Sequence, residues 1–249
     1  MKIVCAIPAR VGSTRVRKKN LRYLGDKPLV AHVIETCKKA NIFDEIYLNS
    51  EALVFKNIAD NYGISFYHRD KKFAASNITN DLIMEDFLNH IECDYVIQVN
   101  PTSPFVTVED LIGFREKMLS EGYDTMQSVK LERIEAIFKG QHLNYDPMKI
   151  MPPSENLEPV MLYSSGIMGF KSDVHQKNMK ELGAATYGGG SSIGYYELKG
   201  FSTLDIDYEE HFQLAEVIYS FLKQKQMAQH QPIYFTEETD EHGENDPFL

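Results

Sequence analysis

Three short stretches of this 249-residue chain hold side chains that could act together on a phosphate ester. In the first, Ile7 to Leu21, the cations Arg10, Arg15, Arg17, Lys18 and Lys19 crowd around Gly12, Ser13 and Thr14, and Arg22 follows directly. Glycine and small hydroxyl residues let backbone amides and hydroxyls face phosphate oxygens. Arg10 and Lys19, on either side, can neutralise a triphosphate through charge-assisted hydrogen bonds. The glycine spacing is that of neither a Walker loop nor a dinucleotide fingerprint. A solvated basic loop would explain the charge, but not its place at the end of the first strand-like run.

The second stretch is Asp205-Ile-Asp207-Tyr-Glu-Glu210. Aspartates two apart on an extended segment point to one face, and paired carboxylate oxygens suit a hard cation such as Mg²⁺. Asp207 to Glu210 also reads as a capping box for a last helix, which leaves Asp205 without a role. The third stretch, Asn100-Pro-Thr-Ser-Pro104, is either a substrate-lining turn or only a strand-to-helix turn. His211 is expected on a helix surface, and Tyr163 and Phe170 in core or interface.

Alternating elements must position these stretches. Lys2–Ile7 is a short apolar run; Leu29–Ala40 carries Val30, Val33, Ile34 and Cys37 at helical spacing. Strands follow at Glu45–Asn49, Ser65–His68 and Tyr95–Val99. Helices are expected over Ala52–Tyr62, stopped by Gly63, and over Asn80–Ile91. Thr107 reads as an N-cap, with Asp110 completing an imperfect capping box. Such repeated strand–helix units predict an α/β fold with a mostly parallel sheet and helices on both faces. Ligands then sit beyond the carboxyl ends of the strands. Residues 134–161 carry four prolines and no period, and read as an excursion, either a lid or a dimer arm. Strand patterns return at Leu162–Phe170 and Ile193–Leu198, on either side of a Gly188–Gly190 loop, with a final helix near Glu209–Lys225. The expected organisation is one domain, 1–234, followed by an acidic tail, 235–249.

Composition narrows the function classes. A net charge of −10 disfavours a nucleic-acid partner and makes the N-terminal cations a local anion site. No run approaches the ~18 apolar residues of a membrane span, and the opening apolar run is too short for a signal peptide. A cytoplasmic protein is expected. The 3 cysteines lack metal-ligand spacing and read as reduced, buried thiols.

Taken with the following Gly25-Asp-Lys-Pro-Leu29, the Ile7–Leu21 stretch resembles the opening signature of the acylneuraminate cytidylyltransferases, relatives of the enzymes that activate octulosonate. Asn100–Pro104 resembles their Gln-Pro-Thr-Ser-Pro turn, and Asp205-Ile-Asp207 their C-terminal Asp-x-Asp signature. The resemblance spans residues 2–222. It implies a Rossmann-like fold, a homodimer formed through the second-half excursion, and a need for Mg²⁺. It implies transfer of CMP from CTP to the anomeric hydroxyl of an acidic, sialic-acid-like nonulosonate. By the same resemblance Arg10 and Lys19 hold the triphosphate. Ala9, Gly12, Ser13 and Arg15 line the loop, Asn20 and Arg69 approach the base, and Asn100, Thr102 and Ser103 face the sugar. Asp205 and Asp207 carry the metal, and Asp207 is the candidate proton acceptor. Sugar-side positions depart from the pattern: Asn100 stands for glutamine, Ser164-Ser-Gly166 for Pro-Asn-Gly, and Asn77 for aspartate. Arg15 resembles the octulosonate branch. The alternatives are therefore an octulosonate, amino-sugar acid or small phosphonate acceptor, or a non-catalytic nucleotide-binding subunit.

Overall fold

The first strand, β1 (Ile3–Pro8), is buried along nearly its whole length. Ile3, Cys5 and Ile7 belong to one hydrophobic cluster, Val4 and Ala6 to another. Side chains alternate across a strand, so two apolar faces mean layers on both sides, the setting of a parallel sheet. The structure, a computed structural model, describes residues 1–225 except Thr14 and Ser76 and the side chain of Lys225; the expected tail, 235–249, lies outside the described residues.

Seven strands form the central sheet: β1, β2 (Glu45–Ser50), β3 (Ser65–His68), β4 (Tyr95–Val99), β5 (Thr125–Glu132), β6 (Val160–Lys171) and β7 (Ile193–Glu197). Their order is β7-β5-β6-β4-β1-β2-β3. All neighbours run parallel except where β6 inserts antiparallel between β4 and β5. One face is covered by α1 (Leu29–Ala40), α2 (Leu53–Tyr62) and α4 (Val108–Glu121), which contribute Ile34, Phe55 and Phe114 to the larger core. On the other face, α3 (Asn80–Leu88) packs Met84 and Phe87 against Phe170, next to α5 (Ser172–Leu182). The last helix, α6 (Glu209–Lys225), docks on the segment after β1.

Local signals performed as their physics requires. Gly63 ends α2 at φ 62°, and both bonds of the Thr107–Asp110 capping box form. The third helix stops at Leu88, short of Ile91, and a closing turn follows in which the His90 and Ile91 amides share the Phe87 carbonyl. Of the 134–161 excursion, Ile137–Phe138 pairs with Gln141–His142 in a small hairpin, and Val160 already belongs to β6. Cys5 and Cys37 are buried as free thiols with Sγ atoms 3.6 Å apart, while Cys93 is only partly buried. No helix among the described residues is long and apolar enough to cross a membrane.

Candidate active site beyond the ends of β1 and β4

A small apolar cluster brings the two ends of the described chain together. Val16, Leu24 and Leu29, from the segment after β1, bury against Ile206, Phe212 and Ala215. Arg22 reinforces the joint: its guanidinium lies 3.9 Å from the Phe212 ring centre and pairs with Glu209 at 2.5 Å and Glu216 at 3.6 Å. This member of the basic cluster therefore docks α6. The backbone between the two aspartates is held from both sides, since the Ile206 amide donates to the Thr102 carbonyl at 2.8 Å and Lys19 Nζ donates to the Ile206 carbonyl.

Lys19 and Asp207 consequently sit 3.8 Å apart, with Arg15 2.8 Å from the same Asp207 oxygen. The Lys19 side chain is only 12% exposed. Burial lowers its ammonium from the ordinary value, against the pull of Asp205 and Asp207. The Asp207 carboxylate is thus engaged by cations, and α6 starts beyond it at Glu209. His211 turns its Nδ1 back to accept from the Asp207 amide at 3.2 Å. Asp205 is pushed above its ordinary value by burial, opposed by a hydrogen bond with Thr102 and reinforced by the Asp207 charge. Its Oδ1 is buried without a partner. A carboxylate oxygen with no protein donor is a fit for a hard cation. Among the described residues no group of three or more His, Cys, Asp or Glu forms a cage, so a metal here would draw its remaining ligands from substrate and water, as Mg²⁺ does.

The cavity in front of Lys19 has a volume of about 310 Å³, enough for part of a nucleotide or a sugar. Of the residues expected from sequence, Ala9, Arg10, Ser13, Arg15, Lys19, Asn20, Arg69, Asn100, Thr102 and Asp207 line it. Gly12 stands outside on the exposed loop. Ser103 is buried behind the wall with its hydroxyl unpartnered. Asp205 lies one step back, where it and Asp207 border a neighbouring groove that also includes Tyr163.

The expected nucleotide residues divide by how free they are. Arg69 is a buried clamp: it donates to Ala9 O at 2.8 Å, Asn49 O at 3.1 Å and Glu51 Oε2 at 3.1 Å. It shapes the loop from below, and only its Nε is unpartnered. Arg10 makes only long contacts, 3.4 Å each, to the carbonyls of Ala74 and Ala75. Asn20 donates to Arg10 O at 3.3 Å and keeps a buried, unpartnered Oδ1.

Sequence reasoning missed Gln98, Asn80, Ile83 and Met168 among the residues that line the cavity, beside Ser165. Gln98 had a signal, because it stands two residues before Asn100 and strand alternation puts both on one face. Ser165 enters through an irregularity of β6 between Tyr163 and Met168, at φ 56°, a left-handed conformation that non-glycine residues rarely adopt. The cavity thus combines cations and one carboxylate with neutral amides, suited to a polyphosphate together with an uncharged, hydrogen-bonding group.

Known proteins resemble this chain in sequence and in fold. The chain is 25% identical over 222 residues to N-acylneuraminate cytidylyltransferase A of Danio rerio, covering 86% of this chain and 50% of that protein. It is 32% identical over 111 residues to CMP-N,N'-diacetyllegionaminic acid synthase of Legionella pneumophila, covering 42% of this chain and 48% of that one. The chain spans about half the length of these curated relatives. The solved structure of CMP:2-keto-3-deoxy-manno-octonic acid synthetase complexed with CTP superposes with a TM-score of 0.69, covering 90% of this chain and all of that one. At 17% identity this is a likeness of fold. The sequence profile described as Cytidylyltransferase matches residues 4–231, taking in both the basic loop and the aspartate pair that the fold joins, and the chain belongs to that cytidylyltransferase family.

Proposed function

We propose that this protein is a Mg²⁺-dependent cytidylyltransferase. It transfers CMP from CTP to the anomeric hydroxyl of a 2-keto-3-deoxy sugar acid, a sialic-acid-like nonulosonate, with release of pyrophosphate. The observation that carries this reading is the meeting of Lys19 and Arg15 with Asp207 at the mouth of one cavity.

Arg10, Arg15 and Lys19 neutralise the triphosphate, and Ser13 lines the same wall. The unpartnered Oδ1 of Asn20 accepts from the amino group of cytosine. Arg69 holds Ala9 and Asn49 in place beneath the nucleotide. In the free site Arg15 covers Asp207, but its side chain is 54% exposed and can swing to an arriving phosphate. That movement uncovers the Asp207 carboxylate, which takes the proton of the attacking hydroxyl, directly or through water. The hydroxyl oxygen bonds to the α-phosphorus as the bond to the bridging α–β oxygen breaks, and the electron pair leaves with pyrophosphate. Asp205 and Asp207 would hold Mg²⁺, which when bound neutralises charge on the α-phosphate and the leaving group.

The protein works as a cytoplasmic homodimer in this reading. Unlinked Cys5 and Cys37 fit a reducing compartment, and the excursion exposes Ile137, Phe138, Met148 and Ile150, apolar surface of the kind a partner covers.

The test is pyrophosphate release from CTP and Mg²⁺ with a panel of acids: N-acetylneuraminate, legionaminic acid, pseudaminic acid, 2-keto-3-deoxy-manno-octonate and a small phosphonate. A nonulosonate should turn over best. Asp207→Asn should abolish turnover with its melting temperature kept, and undiminished turnover in that variant refutes the role of Asp207.

A further inference from the structure

Where β4 and β6 border the cavity, a chain of amides has its polarity set at one end. The Ser165 carbonyl can only accept, so the Asn100 atom facing it at 2.5 Å is the donor Nδ2. That leaves Asn100 Oδ1 to face Gln98, and the Gln98 atom 2.8 Å away from it is therefore the donor Nε2. The outcome is forced: Gln98 Oε1 points away from the relay. It is buried without a hydrogen-bond partner in a side chain only 2% exposed, on the floor of the cavity. Ordinarily the orientation of a glutamine amide is ambiguous; here a backbone carbonyl two groups away removes the ambiguity.

The relay is held from its far end. The Asn100 amide donates to the Gly166 carbonyl at 3.0 Å, and Ser128 Oγ receives both the Ser164 hydroxyl at 2.8 Å and the Ile167 amide at 2.9 Å. These bonds bracket Ser165 in its left-handed conformation and aim its carbonyl at Asn100. Around Gln98 the wall is uncharged: Met168 Sδ lies 3.9 Å from Gln98 Nε2 and 3.8 Å from Asn80 Nδ2. The cavity's Arg10, Arg15 and Lys19 come from the segment after β1, and its Asp207 from the segment before α6.

We propose that Gln98 is a specificity-determining residue, whose Oε1 accepts a hydrogen bond from one neutral donor of the acceptor, a hydroxyl or an acylamino N–H. Asn100, the residue at the turn, is spent on the relay that aims it. An anion at this position is disfavoured, because two acceptors cannot pair. This inference rests on the sugar-acid reading of the acceptor.

The experiment uses the acid with the highest turnover and a set of its deoxyfluoro and de-acylated analogues, each lacking one donor. With the wild-type protein, one analogue should lose about 10- to 100-fold in kcat/KM for the acceptor, the size expected when a buried acceptor is left unpaired. Gln98→Leu, with Gln98→Met as a second variant of closer shape, should turn over the parent acid and that analogue equally poorly, with the KM for CTP and the melting temperature unchanged. If no analogue loses more than twofold with the wild type, Gln98 reads nothing and the inference falls. It also falls if either variant keeps the wild-type discrimination, or if the loss appears in the KM for CTP. CTP binding without turnover of any acid overturns the acceptor reading, and this inference with it.

Discussion

Replacing Lys19 with methionine separates two roles that a buried lysine can play. At 3.8 Å and an effective dielectric of 20, attraction between Lys19 and Asp207 amounts to about 4 kcal/mol before solvation is counted. Burial nevertheless lowers the Lys19 ammonium overall, so desolvation outweighs that attraction in the free protein. The fold therefore holds this charge at a cost. Methionine keeps the length of the side chain and removes that cost, Arg15 stays on Asp207, and only the Ile206 carbonyl loses its donor. A lost hydrogen bond of this kind is worth about 1 kcal/mol. Stability by urea denaturation should thus change by no more than about 1 kcal/mol, a shift of roughly 2–4 °C in melting temperature for a chain of this size. Removing a cation aimed at the triphosphate should lower kcat/KM for CTP by about 10²- to 10³-fold. A loss of about 3 kcal/mol in stability with kcat/KM unchanged would refute the reasoning: Lys19 would then be a pin between the chain's two ends and not a phosphate ligand.

Three further substitutions probe the surroundings. Arg69→Met strands Glu51 in a buried pair whose side chains are 2% and 9% exposed, so urea denaturation should reveal a loss of about 3–5 kcal/mol; a loss below 1 kcal/mol would mean the clamp is not needed for folding. Burial lowers His175 to about 4 against the pull of Asp81, and neither ring nitrogen has a partner. The unfolded chain takes up this proton below pH about 6.5 while the folded chain resists it until about 4, so the stability is full above 6.5 and declines as pH falls. Between pH 7 and pH 5 that decline should be about 2 kcal/mol larger in the wild type than in His175→Leu, measured by denaturation at each pH. Thr107→Ala removes the capping box of α4 and should cost about 1 kcal/mol by the same method, leaving kcat/KM as it was.

The elements and the cationic loop were legible because they depend on near neighbours. Spacing along a helix or strand decides which side chains share a face, so α1 and β2 to β4 could be placed almost to the residue. Gly63 and Thr107 marked helix ends through their own backbone and side-chain chemistry. Helix α5 escaped for the converse reason: its buried positions, Ser172, His175, Asn178 and Met179, fall at helical spacing but are mostly polar, so no apolar period announces them. That Lys19 and Arg15 face Asp207 required the Val16–Ile206–Phe212 cluster, a packing event between segments remote in sequence. Whether a polar residue of the expected site is free for a ligand was likewise a tertiary matter. Arg69 is consumed by Ala9, Asn49 and Glu51, and Asn100 by Ser165, while Gln98 is left with a buried, unpartnered oxygen. Residue type states how many hydrogen bonds a side chain can make; only the folded neighbours decide how many are already taken.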